Sequence, residues 1–375
     1  MKIAFLGDKG VANWHIGIFG KDVEYFVSDK NKHIVNAKKI YKLSNKTNIL
    51  LALKNPIKSY KRLKENNFDN RLDFHYFELE QLVKNNYFEY VVVKSDRSLY
   101  TMATLKKKYN NFKLIYWFPA VIPFQDIFDK RSFFIRKYSF DLIDKFITLT
   151  NTAKETLILE RINSEKIEVN YPGVNTQIFY KKDKNISKEK LKWKKDVFHI
   201  IFVGKLTSWK GIYTLIYALK LLQKYNIHLH LIGNGAQKET LRLVAKELKV
   251  DKNITFYGFV EHSKLNDFYN ASDIFVLPSL PAVNVAEQFG FVVAEAMMCG
   301  LPTIVSNVGG LPEVVKHKEL LFTPAHYQEL ASKIETLINN KILYNNLATH
   351  CLSRAKNFYN ASINQKILFE TLKGI

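Results

Sequence analysis

Two glutamates lie eight positions apart in the segment EQFGFVVAEAMMCGLPTIVSNVGGLPEVV, which runs from Glu287 to Val315. On one continuous helix their carboxylates would be roughly 12 Å apart along the axis and about 80° out of line, which disfavours a shared acid/base pair. If Glu287 instead ends a loop and Glu295 lies in the first turns of a helix that begins near Gly290, the two acids can bracket one elongated ligand. The alternative is a solvated loop acid and a helix-start acid that the dipole favours.

The backbone between the two glutamates offers a second kind of chemistry. A helix that begins near Gly290 leaves the N–H groups of Gly290 to Val292 without helical partners. Such groups bind anions or sugar oxygens. The segment therefore predicts a ligand site with acidic side chains at its ends and amide donors between them.

A loop rich in glycine and lysine, GKLTSWKG, follows an apolar run and ends at Gly211. Gly204 and Gly211 permit close approach of the backbone, and Lys205 and Lys210 can converge on a phosphate group. The spacing is not that of a Walker A loop. Two exposed lysines in an ordinary loop are the alternative. A second loop with unblocked amides, IGNG, contains Gly233 and is a weak signal by itself.

Charge and cysteine content restrict the partners and the compartment. Lys and Arg outnumber Asp and Glu by 56 to 35, a net charge of +21, so an anionic partner is expected: nucleic acid, an anionic membrane or a phosphorylated substrate. No nucleic-acid-binding signature accompanies the charge, so we predict no nucleic-acid partner, and part of the excess reflects a Lys- and Asn-rich surface. The absence of Asp-x-Asp and the scattered histidines predict no metal site. Two cysteines, Cys299 and Cys351, without metal-ligand spacing favour a reducing, cytoplasmic location.

The length and the hydrophobic pattern predict an α/β protein of two doubly wound domains. The chain has 375 residues and 47% hydrophobic content, which suits two domains of roughly 100–200 residues. The N-terminal run MKIAFLG is too short for a signal peptide or an anchor and is typical of a first buried strand. Apolar runs alternate with helical patterns in the second half, which indicates a parallel sheet. The strands predicted there are 198–204, 227–233, 254–260, 274–279 and 302–306.

The first half shows the same pattern less clearly, with strands predicted at KIAFLG, VEYFVS, YVVVKS, KLIYWF and KFITLT. We place a first domain at 1–175, an exposed interdomain linker at 176–196 because residues 181–196 are dense in lysine, and a second domain at 197–357. A solvated charged helix of the second domain is the alternative for the linker. A C-terminal helix at about 358–375 is expected to pack back on the first domain.

The motifs taken in order resemble one protein family. NYPGVNTQIF, GKLTSWKG, LIGNG, YGFV, ASDIFVLPS, the E-x7-E segment and GGLPEVV follow each other as in the retaining GT-B glycosyltransferases of family 4 (glycosyl transferases group 1). The agreement covers about residues 145 to 325. Each motif is weak alone, whereas the series is specific.

The resemblance implies a role for each matched position. Lys205 and Lys210 would neutralise the donor diphosphate, and Glu287 would contact hydroxyls of the donor sugar. Glu295 would accept the ribose hydroxyls. The remaining donor-binding positions act through their backbones, near the phosphates, the sugar or the base: Gly204, Gly233, Gly258, Phe259, Val260, Phe289, Gly290, Phe291 and Val292. The implied reaction uses a nucleotide-sugar as co-substrate, needs neither metal nor cofactor, and lets the leaving phosphate take the proton of the acceptor.

Two departures from the family leave a second hypothesis open. The first loop, GDKGVANWHIG, lacks adjacent glycines, and Phe118 stands at or near the position of a family histidine. Either a neighbour such as Lys94, Asp96 or His15 holds the sugar, or the protein is a catalytically impaired binder of sugar nucleotides. A GT-B epimerase or phosphorylase fits the motif series less well.

The acceptor is expected at the first domain. The segment FQDIFDKRSFFIRKYSF, residues 124–140, mixes aromatic and basic side chains. It could lie on the anionic inner face of a membrane and bring a glycan or lipid-linked acceptor to the enzyme. A core helix with a solvated basic face is the alternative.

Overall fold

The computed structural model describes residues 2–7, 24–27, 40–42, 77–94, 96–124, 130–283 and 285–375. The chain divides into two units. The first comprises Met1–Leu149, Lys154–Asn170 and Gln365–Ile375, and the second comprises Thr150–Ala153 and Tyr171–Asn364. Each unit contains a parallel sheet with helices, so the predicted α/β class is confirmed.

The sheet of the first unit has the strand order β3-β2-β1-β4-β5-β6-β7 among the described residues, and every neighbouring pair is parallel. The strands are β1 Ile3–Gly7, β2 Glu24–Val27, β3 Ile40–Lys42, β4 Tyr90–Val93, β5 Lys113–Phe118, β6 Lys145–Thr148 and β7 Ile167–Val169. The five predicted strands are present because each carries an apolar run that a parallel sheet buries. The short strands β3 and β7 lie at the sheet edges, and they lack such a run.

Helices pack on this sheet around an apolar core. They are α1 Phe77–Lys84, α2 Asp96–Tyr109, α3 Lys130–Ser139, α4 Asn151–Leu159, which enters this unit at Lys154, and the last helix of the chain, which enters it at Gln365. Leu99 of α2, Trp117 of β5 and Phe146 of β6 are fully buried. The order of the strands reverses between β1 and β4, which makes their carboxyl ends the topological switch point of this sheet.

The sheet of the second unit has the order β10-β9-β8-β11-β12-β13 in the described chain, again with parallel pairs. The strands are β8 Phe198–Val203, β9 Ile227–Ile232, β10 Ile254–Gly258, β11 Ile274–Leu277, β12 Thr303–Ser306 and β13 Leu321–Phe322. All five strands predicted here are confirmed. The strand β10 ends two residues earlier than predicted because Gly258 has φ +73°, which turns the backbone out of the sheet.

The helices of the second unit alternate with its strands as predicted. They are α5 Lys184–Leu191, α6 Ile212–Leu221, α7 Lys238–Glu247, α8 Leu265–Ala271, α9 Phe291–Met298, α10 Leu311–Val315, α11 Tyr327–Asn339, α12 Lys341–Phe358 and the beginning of α13 Ala361–Lys373. Helix α9 is buried from Val293 to Met298, so it packs inside the unit rather than on its surface.

The lysine-dense segment predicted as an exposed linker is part of the second unit. Its helix α5 begins after Asp183, whose carboxylate caps the backbone N–H of Ile186 at 3.0 Å. The ammonium of Lys184 contacts Asp273 at 2.9 Å, and that of Lys182 contacts Asp267 at 2.8 Å. Periodicity could not separate linker from helix here, because the helix is fixed by ion pairs with acids almost ninety positions away.

In the part of the chain that the structure describes, no helix combines the length and the apolar sequence that are needed to span a membrane.

Candidate functional site

The candidate site of the second unit lies at the topological switch point of its sheet. The strand order reverses between β8 and β11, which are hydrogen-bonded neighbours. Open α/β sheets bind ligands outside the carboxyl ends of strands at such a point. The loop with Lys205 and Lys210 leaves the carboxyl end of β8, and Ser279 follows β11, so both loops reach this position.

The loop after β8 is held against the loop after β11 by close backbone contact. Gly211 has φ +64°, and a side chain there would place its Cβ 1.9 Å from the carbonyl oxygen of Pro278. The backbone N–H of Leu280 donates to the carbonyl of Trp209 at 2.7 Å. Because only glycine fits at 211, the preceding Lys210 is fixed beside the β11 loop.

Glu287 lies where these two loops meet. Its Oε1 accepts hydrogen bonds from the ammonium of Lys210 and, at 2.9 Å, from the hydroxyl of Ser279. The residue is 7% exposed, and no described residue donates to its Oε2. The side chain of Lys210 is also largely buried, and its Nζ lies 4.2 Å from the ring centroid of Trp209. The carboxylate is therefore a fixed, paired charge with one oxygen left for a ligand.

The two glycines of GGLPEVV hold the backbone of Glu287. The carbonyl of Glu287 accepts a hydrogen bond from the N–H of Gly310 at 2.8 Å. Gly309 has φ +56°, and a Cβ there would lie 2.2 Å from that same carbonyl oxygen. The motif thus acts on the site by fixing the position of Glu287.

Glu313 of the same motif has a different environment within the second unit. It accepts hydrogen bonds from the backbone N–H groups of Asn151 at 2.8 Å and Thr152 at 3.1 Å and from the hydroxyl of Tyr171 at 2.7 Å. Burial raises the pKa of Glu313, but these hydrogen bonds outweigh it and hold the pKa below its ordinary value. Glu313 is a structural anchor and makes no described contact with Glu287.

The helix between the two glutamates begins as the sequence predicts. Gly290 has φ +77° and precedes α9, so Glu287 lies in the loop before the helix and Glu295 in its second turn. A Cβ at Gly290 would lie 2.7 Å from Cδ2 of Leu311. No acceptor among the described residues takes the backbone N–H of Gly290 or Val292. Two of the three amides that the helix start was expected to offer, those of Gly290 and Val292, are thus without a described acceptor.

The aromatic residues at this helix start differ in exposure. Phe289 is buried, and its ring lies 5.2 Å from that of Tyr359 and 5.6 Å from that of Phe291. Phe291 and Val292 are half-buried. The side chain of Phe289 therefore anchors the loop, which leaves its backbone for any contact with a ligand.

Glu295 belongs to a second group of side chains rather than to the group around Glu287. Its Oε1 accepts a hydrogen bond from Nε2 of His262 at 2.8 Å, and its Oε2 accepts one from the hydroxyl of Tyr269 at 3.0 Å. Glu295 is 8% exposed. No described contact joins it to Glu287, so the structure places the two glutamates in separate hydrogen-bonded groups on either side of the α9 start.

Three predicted glycines lie together at the carboxyl ends of neighbouring strands. The N–H of Gly233 donates to the carbonyl of Gly258 at 2.7 Å, and a Cβ at Gly233 would lie 1.9 Å from the carbonyl oxygen of Gly204. The next residues differ: Phe259 is 83% exposed and Val260 is half-buried. The chain thus exposes an aromatic ring directly after a tight glycine cluster.

Lys205 is not joined to the Glu287 group. Its side chain is exposed, and within the described residues no hydrogen bond or ion pair connects it to Lys210 or Glu287. Lys205 and Lys210 share a loop but have different surroundings, one solvated and one paired.

The predicted residues of the first unit have mixed outcomes. Phe118 is buried in the core of the unit, with the guanidinium of Arg136 5.3 Å from its ring centroid. Lys94 follows β4 at the switch point, half-buried, with Nζ 5.0 Å from the ring of Trp117, and burial lowers its pKa to about 8. His15, the loop GDKGVANWHIG and the side chain of Asp96 lie outside the described residues.

No cluster of three or more His, Cys, Asp or Glu side chains suited to a metal ion occurs in the described ranges. Metal independence stays a prediction. Of the segment predicted to face a membrane, residues 124 and 130–140 are described. In its helix α3, Phe133 and Phe134 are each about half exposed while Ile135 is buried.

Three residues of these groups were missed by sequence reasoning: Ser279, His262 and Tyr269. Ser279 ends the motif ASDIFVLPS, so its place after a strand was a usable signal. His262 and Tyr269 carry no comparable signal, because their contacts with Glu295 cross 33 and 26 positions of the chain.

The second unit is similar in sequence to proteins of one known family. Residues 183–356 match the family model of Glycosyl transferases group 1. An uncharacterized glycosyltransferase of Methanocaldococcus jannaschii is 36% identical over 181 residues, which cover 46% of this chain and 44% of that protein. One of Haemophilus influenzae is 32% identical over 206 residues, covering 54% and 53%. The chain thus matches about half the length of these curated relatives.

A solved structure extends the similarity in fold to the whole chain. Anabaena HepE in complex with UDP superimposes with a TM-score of 0.81 at 18% identity, and the match covers 100% of both chains. The predicted GT-B fold is confirmed by this match together with the two parallel sheets.

Proposed function

Residues 183–356 match the group 1 glycosyltransferases, and from this similarity we propose that the chain moves a sugar from a nucleotide-activated donor to an acceptor hydroxyl. The donor is a UDP- or GDP-sugar. The acceptor is a glycan or a lipid-linked saccharide. The reaction retains the anomeric configuration and needs no metal ion.

The observation that carries the proposal is the group formed by Glu287, Lys210 and Ser279 at the switch point of the second sheet. A buried carboxylate with one oxygen free of protein donors suits the hydroxyls of a sugar, because each hydroxyl can donate a hydrogen bond. The unpartnered N–H groups of Gly290 and Val292 lie three to five positions further along and suit oxygens of a sugar or a phosphate.

The chemistry of transfer follows from where charge develops. Breaking the anomeric bond leaves an oxocarbenium-like sugar and a nucleoside diphosphate with added negative charge. The exposed ammonium of Lys205 can contact that diphosphate directly. The ammonium of Lys210 is already paired with the carboxylate of Glu287. Fixed cations and amides stabilise the departing phosphate without reorganisation in the transition state. The leaving phosphate then takes the proton of the acceptor, so no separate nucleophile is required.

The other end of the donor is assigned to Glu295 and the glycine cluster. Glu295 has two donors already, and a carboxylate has about four acceptor sites, so it keeps capacity for the ribose hydroxyls. Gly204, Gly233 and Gly258 leave room for the backbone to approach the nucleotide. The uncovered ring of Phe259 offers a face on which a base can stack.

A donor screen with a matched pair of variants tests the proposal. The purified chain is incubated with common UDP- and GDP-sugars and membrane extract, and released nucleoside diphosphate is measured. Glu287→Gln keeps the size of the side chain but removes its charge, so we expect transfer to fall by about a hundredfold or more while nucleotide affinity changes little. Glu239→Gln, on the exposed face of α7, is the control.

Each outcome of the screen has a consequence. Nucleotide binding without release from any donor supports the catalytically impaired binder instead of the transferase. Undiminished transfer by Glu287→Gln contradicts the assignment of the sugar site. Release that is lost with a chelator and restored by a divalent cation contradicts metal independence.

Recruitment to an anionic membrane is the part of the proposal that concerns the acceptor. On α3, Phe133 and Phe134 are 49% and 51% exposed beside the exposed Lys137, whereas the buried Ile135 faces the core. Exposed aromatic rings next to cations suit the interface of an anionic bilayer. The overall charge of +21 acts in the same direction.

Liposome sedimentation tests this recruitment. We expect binding to vesicles that contain phosphatidylglycerol, weakened by salt and by the double variant Phe133→Ser with Phe134→Ser. Leu159→Ser, which removes a more exposed apolar side chain of the same unit, should leave binding unchanged. Equal binding to neutral vesicles, or equal loss with the Leu159 variant, contradicts a specific membrane face.

A further inference from the structure

His262 forms a pair with a glutamate of the candidate site, and the function proposed above gives it no role. Its Nε2 lies 2.8 Å from Oε1 of Glu295, while Tyr269 donates its hydroxyl to Oε2 at 3.0 Å. The two contacts fix both carboxylate oxygens and therefore the plane of the carboxylate. Tyr269 is fully buried, whereas 42% of the His262 side chain is exposed. Of the two residues that donate to Glu295, His262 is therefore the one next to solvent.

The histidine is itself held in place. The ring of Phe179, which is buried, meets the imidazole edge to face at 4.8 Å and the ring of Tyr269 at 5.8 Å. His262 follows β10 in the short helical turn His262–Lys264, four residues beyond Gly258. The imidazole therefore connects the end of β10, where a base is proposed to lie, with the acid of α9.

The protonation of His262 does not change which atom contacts Glu295. A carboxylate only accepts, so Nε2 carries the proton in the neutral and in the charged ring alike. Burial lowers the pKa of His262, but the hydrogen bond and the charge of Glu295 raise it more, and the net direction is upward. The buried hydroxyl of Tyr269 and thiol of Cys299 lie near Glu295, and Glu261 and Lys264 flank the histidine in sequence.

We propose that His262 is a positioning residue for ribose recognition: it orients the carboxylate of Glu295 so that the remaining acceptor sites meet the ribose hydroxyls. The inference rests on the proposed function, since it assumes that Glu295 accepts these hydroxyls. Without the His262 donor, the outer oxygen of a nearly buried carboxylate loses its fixed direction. The binding affinity then decreases for ligands that carry both ribose hydroxyls and stays the same for ligands that lack them.

Comparison of ribonucleotides with their deoxy analogues isolates this role. Binding of UDP, GDP and the corresponding 2′,3′-dideoxy nucleotides to the full chain is measured by calorimetry. We expect the wild type to prefer the ribonucleotide by about tenfold or more, the usual value of hydrogen bonds to a charged group. His262→Ala should remove most of that preference, because the affinity for the ribonucleotide decreases while the affinity for the dideoxy analogue stays nearly unchanged.

Two further variants separate positioning from folding. His262→Gln carries an amide N–H₂ at a similar reach and should restore most of the preference. His326→Gln changes an exposed histidine that caps α11 and should alter nothing in nucleotide binding. If His262 only supported the fold, His262→Ala would lower the affinity for both nucleotides equally. Thermal melting of each variant measures any loss of stability.

The outcomes distinguish the inference from the function on which it rests. A His262→Ala protein that keeps the full preference for ribonucleotide overturns the role of His262 while the ribose site stands. A wild type that binds both analogues equally, or binds neither UDP nor GDP, overturns the assignment of Glu295 and the inference with it.

Discussion

The ammonium of Lys210 and the carboxylate of Glu287 form an ion pair between two loops that are 77 positions apart in the sequence. Both side chains are largely buried, and Ser279 donates a second hydrogen bond to the same oxygen. The paired ammonium allows the Glu287 carboxylate to stay charged inside the protein, next to the proposed sugar site. Lys205, in the same loop as Lys210, remains exposed.

This difference predicts unequal effects of removing the two lysines. Lys210→Met leaves Glu287 buried without its partner, so the free energy of unfolding should fall by about 3 kcal/mol, and transfer should be lost. Lys205→Met removes only a solvated charge, so stability should change by less than about 0.5 kcal/mol while donor turnover drops. Urea unfolding and nucleotide release measure the two quantities. Equal losses of stability in the two variants would contradict the separate surroundings of the two lysines.

Gly309→Ala tests the link between GGLPEVV and Glu287. A Cβ at this position would lie 2.2 Å from the carbonyl oxygen of Glu287 and would sit on a backbone with φ +56°. The strain of the left-handed conformation costs about 1–2 kcal/mol, and the carbonyl of Glu287 must also move. We expect transfer to fall by about tenfold or more, which exceeds what the stability loss explains.

Gly374→Ala is the matched control for that substitution. Its nearest neighbour beyond the adjacent residues would be the carbonyl oxygen of Thr371 at 3.6 Å, an ordinary contact. Thermal melting and nucleotide release are compared for the two variants. Wild-type transfer by Gly309→Ala would show that the glycine does not fix Glu287.

A chain of hydrogen bonds across the second sheet predicts acid sensitivity. The carbonyl of Lys194 only accepts, so Nε2 of His199 donates to it at 2.8 Å, and Nδ1 of the neutral His199 accepts from Nε2 of His230 at 2.9 Å. Nδ1 of His230 therefore accepts from the hydroxyl of Tyr257 at 3.1 Å, and the Tyr257 oxygen accepts from Nε1 of Trp193 at 3.0 Å. Protonation of His230 at Nδ1 would set a second donor against the Tyr257 hydroxyl and break this order.

Burial, with the neighbouring His228 and His199, lowers the pKa of His230 from 6.5 to about 2. The unfolded chain therefore binds more protons than the folded one below about pH 6.5, so stability is complete above that pH and falls as the pH decreases. Between about pH 6.5 and pH 5 the loss from one such group approaches about 2 kcal/mol. Urea unfolding across this range measures it.

His230→Gln provides the comparison for the acid dependence. The variant should be less stable than the wild type at about pH 7.5, because His199 and Tyr257 lose their partner, but its stability should depend less on pH. Parallel pH profiles for the wild type and the variant would assign the acid sensitivity to other groups.

Lys94 is predicted to react unusually fast with amine reagents. Burial at the end of β4 lowers its pKa to about 8, so about a fifth of its amine is neutral near pH 7.4, against about a thousandth for an ordinary lysine. Limited acetylation followed by mass spectrometry should show half-maximal reactivity of Lys94 near pH 8. The exposed Lys137 supplies the reference profile. A Lys94 profile that coincides with the Lys137 profile would contradict the lowered pKa.

Several features of the fold could be predicted because their signals are local. Buried parallel strands such as Phe198–Val203 and Ile274–Leu277 carry continuous apolar runs. Gly290 marks a helix start, since its backbone conformation favours glycine, and this places Glu287 before the helix and Glu295 within it. The edge strand Leu321–Phe322 escaped prediction because two residues make no pattern.

The sequence by itself determined the two α/β units, the glycine-lined loops at the strand ends and the order of the family motifs. The tertiary structure decided which side chains pair there: Lys210 with Glu287, His262 with Glu295, and Arg136 against the ring of the buried Phe118. Hydrophobic periodicity depends on neighbours a few residues apart. Pairing of charges depends on which strand ends become adjacent, and only the order of strands in the folded sheet sets that.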